Sequence, residues 1–458
     1  MSFSRRGFMV GCSAAIAAMA GGRVSNLVFA ADSVPRDILV VVFLRGGCDA
    51  LSLVAPTNDD NYVNKRLNLR VTDGDPAVDA QAGWQLNNTL DPAADFRFHN
   101  KARPLHELYV SNNLAIIHAC GLTNGTRSHF DAMDFIERGT PTNKSTSNGW
   151  IARHLRSIGI TASQPGELPG IAANSTLPTS LMGSPVAMAL SKPADFRFSR
   201  HWKYGPLQQD ALRSFYGAGV GGVYAAGTVT LDSLDAINAK LPKDGSGNPI
   251  PYVPETEAGK EYPTDWYVSG FKDSLQCIAQ LVKMDVGLQV ATVDYGGWDT
   301  HQDQNSVLTR QIDGMSRALA AFYNDLRNYH TRLTVAVISE FGRRLKANDS
   351  GGTDHGHGGV MMVMGGNVKG GRMYGNWPGL AEEQLDNNVD LQVTTDFRTV
   401  LSEIMVRRLA NGKLGQIFPG ITPEVYSPAT KLDFLNGTEA AVDYSNTYGT
   451  TYVPLVRR

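Results

Sequence analysis

The chain is poor in cysteine, in histidine and in net charge for a length of 458 residues. It holds 4 cysteines and 10 histidines, and its 42 basic side chains almost balance 44 acidic ones, for a formal net charge of −2. A balance this close to neutral gives no reason to expect nucleic acid or an anionic membrane surface as a partner. The hydrophobic fraction of 42% against 19% charged residues excludes global disorder and supplies a large core.

A long hydrophobic run is also missing. The apolar run from Phe8 to Ala20 is too short to span a bilayer, so we expect no stable membrane anchor. The run follows Ser4-Arg5-Arg6-Gly7-Phe8-Met9, which resembles the twin-arginine export signature, and Val28-Phe29-Ala30 offers small residues for cleavage. We therefore predict that residues 1–30 are a twin-arginine signal peptide. The twin-arginine translocase would be the partner during export, and the mature protein would be periplasmic or secreted.

Removal of this signal would change both the charge and the cysteine count. Residues 1–30 contain three arginines and no acid, so the net charge would move from −2 to −5. An odd number of cysteines would remain, which excludes a complete disulfide set: Cys48, Cys120 and Cys277. We therefore expect disulfides not to be what holds the fold together.

Strand and helix patterns alternate along residues 31–458. Apolar runs rich in β-branched residues predict five strands, at Ile38–Leu44 and at 113–120, 288–293, 333–338 and 360–364. Helical spacing predicts helices at 275–283, 311–329 and about 395–409. This succession predicts a single α/β domain with a large, doubly wound, mostly parallel sheet sandwiched by helices. Residues at about 200–265 differ in composition from the rest of the chain and are predicted to form a cap or insertion.

Carboxylates and imidazoles collect where the predicted strands end. In open α/β sheets the binding crevice lies beyond the carboxyl ends of the strands, and these residue types are ligands of divalent metal ions. The candidate metal ligands are Asp49, Asp299, His301, Glu340, Asp354, His355 and His357. The expected cofactor is one or more divalent ions (zinc, manganese or calcium).

Each candidate ligand also has a purely structural interpretation. Asp49 could cap the helix or turn that follows it, and Glu340 could pair with Arg343 or Arg344. The segment Asp354-His355-Gly356-His357 is the most specific signal, because two imidazoles two residues apart in an extended chain point the same way. The whole set favours a metal site more strongly than any one member does.

Ser128 is the candidate nucleophile. It stands at the predicted start of a helix, where the positive end of the helix dipole favours an alkoxide or a bound phosphate or sulfate. Arg127 and Arg45 could hold the anion and complete the candidate catalytic group. A plain helix N-cap is the alternative for Ser128. His129 could be an acid or a ligand, although a packed or capping role is the more common one.

Several motifs together carry a family resemblance. FLRGGCDALSLV, SHFDAMDFIERG, GGWDTH, SEFGRR and GTDHGHGG, followed by TDFRTVLSEIM, resemble the bacterial family called domain of unknown function 1501. The segment from Val307 to Arg343 resembles the helix and strand that precede a metal-binding pair in the alkaline phosphatase and sulfatase superfamily. The resemblance implies an alkaline phosphatase/sulfatase-like fold with metals at strand ends, Ser128 as nucleophile, and Asp49, Asp299, His301 and His355 or His357 as ligands.

The chain also departs from that superfamily at two points. Glu340-Phe341 stands where the superfamily has an Asp-His or Asp-Asn pair, which puts a second metal site in doubt unless Asp354 and His355 replace the pair. No cysteine lies in a Cys-x-Pro-x-Arg context, so formylglycine chemistry is not expected.

Two functions follow as hypotheses. The first is an exported metal-dependent hydrolase of phosphate esters, or less favourably of sulfate esters, that uses a serine nucleophile and acts on a small-molecule, glycan or lipid ester. The second is a non-catalytic exported protein for binding or envelope assembly that retains a degenerate form of the same fold.

Overall fold

The computed structural model describes residues 36–87, 89–161, 167–197, 204–219 and 222–446. The predicted signal peptide, residues 1–30, lies outside these ranges. Within them, no helix combines the length and the apolar character needed to cross a membrane.

The described residues form twelve strands and eleven α-helices. The strands are β1 (Ile38–Leu44), β2 (Val54–Pro56), β3 (Trp84–Gln85), β4 (Phe96–Phe98), β5 (Leu114–Gly121), β6 (Gly170–Ala172), β7 (Ala187–Ala189), β8 (Val290–Tyr295), β9 (Leu333–Ser339), β10 (Gly359–Gly365), β11 (Arg372–Tyr374) and β12 (Thr395–Asp396). The helices are α1 (Ala50–Leu53), α2 (Asp60–Lys65), α3 (Arg103–Val110), α4 (His129–Arg138), α5 (Trp150–Ser157), α6 (Gly205–Gly217), α7 (Gly222–Lys240), α8 (Ser269–Lys283), α9 (Gln304–Asp325), α10 (Phe397–Arg407) and α11 (Leu414–Ile417).

One nine-stranded sheet organises the molecule. Its strand order is β11-β5-β10-β9-β1-β8-β6-β7, with β12 paired to β5 beside this path. The pairs of β1 with β8 and β9 are parallel, as are those of β6 with β7 and β8, whereas β10 runs antiparallel to both β5 and β9. The predicted large, mostly parallel α/β sheet is therefore confirmed. A separate three-stranded sheet has the order β2-β4-β3.

The central strand β1 is buried on both faces, as its continuous apolar sequence predicts. Ile38, Val40 and Val42 enter one hydrophobic core, and Leu39 and Val41 enter the other. Helices α3, α8 and α9 contribute side chains to the first core, whereas α4, α5, α10 and α11 contribute to the second. The sheet is thus covered by helices on both sides.

The predicted insertion at about 200–265 contains the helix pair α6 and α7. The two helices pack through a small hydrophobic cluster of Leu212, Tyr216 and Leu231. The end of α7 and the irregular segment after it add Ile237 and Tyr262 to the main core. The segment therefore combines a small core of its own with direct attachment to the larger one.

Candidate metal centre

Loops from several strands meet at the carboxyl edge of the parallel strands. Residues after β1, β5, β8 and β9 reach this edge because these strands are parallel there, and the residues before β10 reach it because β10 is antiparallel. Gly46, with φ of +125°, allows the loop after β1 to touch the loop after β8, since a Cβ atom there would collide with the backbone of Asp299.

Three imidazoles and one carboxylate converge at this edge. One ligand atom from each of His129, Asp299 and His355 lies within 4.8 Å of those of the other two. His301 joins them, because its Nε2 is 3.1 Å from Asp299 Oδ1 and 2.9 Å from His355 Nε2. The carboxylate of Asp299 is also 3.4 Å from His129 Nε2 and 3.3 Å from His355 Nε2. We call these four residues the His/Asp cluster.

The Nδ1 atom of each imidazole faces an oxygen that can only accept a hydrogen bond. His129 Nδ1 is 2.8 Å from Glu340 Oε1, and His301 Nδ1 is 3.3 Å from Asp354 Oδ1. His355 Nδ1 is 2.8 Å from the backbone carbonyl of Arg127. Because these acceptors require a hydrogen on Nδ1, Nε2 is the nitrogen that each ring can offer to a cation.

A metal ion suits this arrangement. The Nε2 atom of His129 is buried and makes no hydrogen bond, and the Nε2 atoms of His301 and His355 face each other at 2.9 Å. Lone pairs this close repel unless a proton or a cation lies between them. Metal-bound histidines typically donate their other ring N–H to a carboxylate or a carbonyl, as all three do here. The predicted divalent cofactor therefore has a fitting donor set.

Buried side chains behind the cluster set its charge. Burial acts to raise the pKa of Asp299, but its hydrogen bond with Arg343 (Nη2 to Oδ1, 2.6 Å) and the charge of Arg343 hold it below its usual value. Burial likewise opposes ionisation of Glu340, yet hydrogen bonds from His129 and from the Gly46 amide lower its pKa. Both carboxylates are therefore anionic at neutral pH.

The structure divides the seven predicted ligands into groups. Asp299, His301 and His355 lie in the cluster. Glu340 and Asp354 lie next to the cluster, where they accept hydrogen bonds from Nδ1 of His129 and of His301, and their role as direct ligands stays a prediction.

Asp49 does not take part in the His/Asp cluster. Its side chain is fully buried, accepts from Ser52 and Gln304, and forms an ion pair with the equally buried Arg66. Asp49 also accepts from the amide of Ser52 as the N-cap of α1. The guanidinium of Arg66 thus supplies the positive charge that was expected from a metal, and the structural alternative holds for this residue.

His357 also differs from the expectation. Its Nδ1 is 3.0 Å from Asp386 Oδ2 and its Nε2 is 2.9 Å from the carbonyl of Leu122. His355 and His357 therefore have different partners instead of pointing the same way, because the chain bends before β10 begins at Gly359.

The predicted catalytic residues lie around the cluster with partners of their own. Ser128 is exposed and caps α4, where its Oγ accepts from Asp131 N at 3.4 Å. The Arg127 guanidinium is paired with Asp390 and Asp386, and that of Arg45 with Glu137 and Asp294. Their predicted role in holding an anion is thus in competition with these ion pairs.

His129 is the cluster member for which the sequence favoured a packed or capping role over a role as ligand. It follows Ser128 directly and is the first residue of α4, so it lies where the loop after β5 ends, at the same edge as the other ligands. The available signal was its position: any side chain in that loop shares the crevice with those after β1, β8 and β9.

The fold and the cluster together define an α/β protein with a candidate metal centre at the carboxyl edge of its sheet. Residues 254–416 match the family described as "Protein of unknown function (DUF1501)", which confirms the resemblance over that range. No curated protein matches the sequence.

Similar solved structures share little sequence with the chain. Ps i-CgsB is 10% identical, with a TM-score of 0.32 and coverage of 74% of this chain and 68% of its own. A protein in the alkaline phosphatase superfamily from Vibrio parahaemolyticus is 11% identical, with a TM-score of 0.29 and coverage of 81% and 71%. The alkaline phosphatase from the Antarctic bacterium TAB5 is 10% identical, with a TM-score of 0.25 and coverage of 72% and 92%.

Proposed function

We propose that this protein is an exported, metal-dependent hydrolase of phosphate esters, with sulfate esters as the less favoured substrates. One observation carries the proposal: the Nε2 atoms of His129, His301 and His355 lie 3.4, 3.1 and 3.3 Å from the Asp299 carboxylate, and the first of these histidines directly follows the exposed hydroxyl of Ser128. The proposed export rests on the twin-arginine motif at Arg5 and Arg6.

The donor set favours zinc over the other candidate ions. Three imidazole nitrogens and one carboxylate are typical zinc ligands, whereas calcium prefers oxygen ligands alone. When bound, such an ion would polarise an ester oxygen and lower the pKa of a nearby hydroxyl. His129, Asp299 and His355 would hold it, with His301 beside them, and Arg343 keeps Asp299 ionised and in place.

Ser128 is the proposed nucleophile. Its Oγ would lose its proton and attack phosphorus in line, and the bond to the leaving group would break, with the departing alkoxide taking up a proton. A water would later hydrolyse the phosphoserine, which releases phosphate and restores the hydroxyl. Its position as N-cap of α4 places developing negative charge at the positive end of the helix dipole. Its exposure leaves the hydroxyl accessible to a substrate.

A specific observation favours the non-catalytic alternative. Arg127 and Arg45, the two guanidinium groups expected to stabilise a phosphate, are both paired with carboxylates. A protein that only binds a metal for envelope assembly needs neither of them free. Hydrolysis requires that at least one of these ion pairs opens when a substrate binds, or that backbone amides at the start of α4 replace them.

The deciding experiment uses the mature protein purified from the exported fraction. Bound metals are measured by elemental analysis, and phosphomonoesters, phosphodiesters and sulfate esters are tested with Ser128→Ala, His355→Ala and His357→Ala. We expect near-stoichiometric metal in the wild type, Ser128→Ala and His357→Ala, and its loss in His355→Ala, because of these two histidines His355 alone has its Nε2 in the cluster.

The activity measurements then separate the two functions. Turnover should fall at least about 100-fold in Ser128→Ala and in His355→Ala, and should persist in His357→Ala, the matched control two residues away. A metal-free wild type, or turnover that ignores Ser128→Ala, would contradict the hydrolase. Stoichiometric metal without turnover on any ester class would establish the non-catalytic alternative.

A further inference from the structure

A cleft of about 340 Å³ opens beside the His/Asp cluster, between one face of α4 and the loop that follows β6. Phe130, which lines it, is the residue directly after His129. Arg45, also in its lining, precedes Gly46, whose amide donates to Glu340 behind His129. The cleft therefore lies at the same edge of the sheet as the candidate metal centre, and two of its lining residues are sequence neighbours of residues at that centre.

The charges in this cleft are largely compensated within the protein. Arg45 pairs with both Glu137 and Asp294. Asp134, the third carboxylate of the lining, receives Arg138 Nε at 2.8 Å from both of its oxygens. Since each of these charges already has a partner of opposite sign, an anionic or a cationic ligand would have to displace an ion pair. A neutral group suits this lining better than either.

The remaining lining combines an apolar platform with hydrogen-bonding groups. The Phe130 ring is 84% exposed, and Met182, on the other side of the cleft, is 46% exposed. Asn174 reaches Asp294 Oδ2 with its Nδ2 at 3.2 Å, and the exposed Thr176 adds a hydroxyl. A flat apolar surface beside planar polar side chains can bind a ring that has one C–H face and several hydroxyls.

We infer that this cleft binds the alcohol part of the substrate and that this part is a neutral polyhydroxylated ring, such as a sugar unit. The inference rests on the proposed function, because the ester bond would then lie between the cleft and the metal centre. Phe130 would stack on the ring face, and Asn174 and Asp294 would bind its hydroxyls. All three are specificity residues, distinct from the residues that would hold the metal.

The test measures binding without requiring hydrolysis. A panel of methyl glycosides of glucose, galactose, mannose and N-acetylglucosamine is titrated against the mature protein by saturation-transfer NMR, alongside choline and n-butanol. We expect at least one glycoside to bind, with its dissociation constant raised at least fivefold in Phe130→Ala and in Asn174→Ala. Trp266→Ala removes an aromatic side chain that is 81% exposed outside this cleft and should leave binding unchanged.

Each outcome decides one question. Binding of choline or butanol in preference to every glycoside, binding of none, or glycoside binding that ignores both cleft variants would overturn the inference. Metal content is measured for every variant, so that damage to the cluster through the neighbouring His129 is recognised. Glycoside binding without ester hydrolysis would reject the proposed function and keep the sugar site, whereas hydrolysis of simple alkyl phosphates without glycoside binding would do the reverse.

Discussion

At the scale of single residues, Arg343 connects the parts of the candidate metal centre. Its buried guanidinium donates to the backbone carbonyls of Gly46, Gly47, Trp298 and Thr353 and to the carboxylate of Asp299. These acceptors belong to the loops after β1 and β8 and to the segment before β10. One side chain therefore fixes both the loop positions and the orientation of a ligand.

Replacement of Arg343 should weaken metal binding before it removes the fold. In Arg343→Lys, a single ammonium group is unable to reach all of these acceptors, so Asp299 loses its partner. Support of this kind is typically worth about 10- to 100-fold in metal affinity. Competition with a chelator of known affinity measures the change, and thermal unfolding shows whether the variant is folded.

The neighbouring Arg344→Lys is the matched control for that variant, because it keeps the positive charge that lowers the pKa of Asp354. The Arg344 guanidinium lies 3.9 Å from Asp390 and makes no contact with Asp299, so metal affinity should stay within about twofold of the wild type. Equal affinities for the two variants would show that Arg343 has no positioning role.

Some residues of the candidate site could be identified from the sequence, and others could not. Asp299 and His301 were identifiable because they follow a strand at once, in a short loop. The pairing of Asp49 with Arg66 was hidden, since nothing in the sequence marks a helix-flanking arginine 17 residues away as a buried partner. His355 and His357 look equivalent in the sequence. They differ only in their partners, Arg127 for the first and Leu122 and Asp386 for the second, which come from distant parts of the chain.

At the scale of elements, the direction of β10 decides which loops meet. The apolar run at 360–364 predicts a strand but says nothing of its direction. The connection from β9 to β10 spans residues 340–358 without a helix, and parallel neighbours usually need a helical crossover. That missing helix was the available signal for an antiparallel strand, whose amino end brings His355 to the metal edge.

At the same scale, one carboxylate attaches the irregular segment after α7 to helices α8 and α9. Asp325, the last residue of α9, is buried and accepts from the hydroxyls of Tyr252 and Tyr262 at 2.7 and 3.2 Å. It also accepts from the amide of Glu255 and pairs with Lys283 of α8 at 2.6 Å. One carboxylate thus holds three points of residues 252–262.

Removal of this carboxylate should release the segment and leave the metal centre intact. Asp325→Ala leaves the Lys283 ammonium without its closest partner, and breaking a buried pair costs about 3–5 kcal/mol of unfolding free energy. We expect faster hydrogen exchange and proteolysis across residues 252–262, with unchanged metal content. Asp273→Ala, on the surface of α8, is the control and should change stability by less than about 0.5 kcal/mol. Unaltered exchange in Asp325→Ala would contradict this anchoring role.

At the scale of the whole molecule, the sequence predicts the architecture better than the site. The continuous apolar runs of β1, β5 and β9 indicate strands buried on both faces, and the helical periods indicate their cover, so the sandwich follows from local pattern and burial. The strand order depends on contacts between distant segments, which no local period contains. For the same reason, the arrangement of donors around Asp299 required the folded chain.

Two buried histidines link the stability of the whole molecule to pH. His118 and His154 are fully buried, and burial lowers the pKa of each to about 4. His118 Nε2 donates to the Val54 carbonyl while its Nδ1 accepts from the Ala119 amide, and His154 Nδ1 accepts from Asn411. Both rings are therefore held neutral in the folded state, with no acceptor for a second ring N–H.

Stability should consequently fall as the solution is acidified from about pH 6.5 toward pH 4. Unfolding returns both imidazoles to a pKa near 6.5, so in this window the unfolded chain binds more protons, and the loss ends near pH 4, where the folded protein is protonated too. Each histidine contributes a slope of at most about 1.4 kcal/mol per pH unit and about 3 kcal/mol in total. Above pH 6.5 these two groups add no further dependence.

Urea unfolding of chelator-treated protein at pH 7, 6 and 5 measures the slope, which His154→Gln should reduce by about 1 kcal/mol per pH unit whatever its effect at pH 7. His106→Gln, which replaces a half-buried histidine beside the Gln85 carbonyl, serves as the control; an equal slope in both variants would show that His154 is not one of the groups responsible.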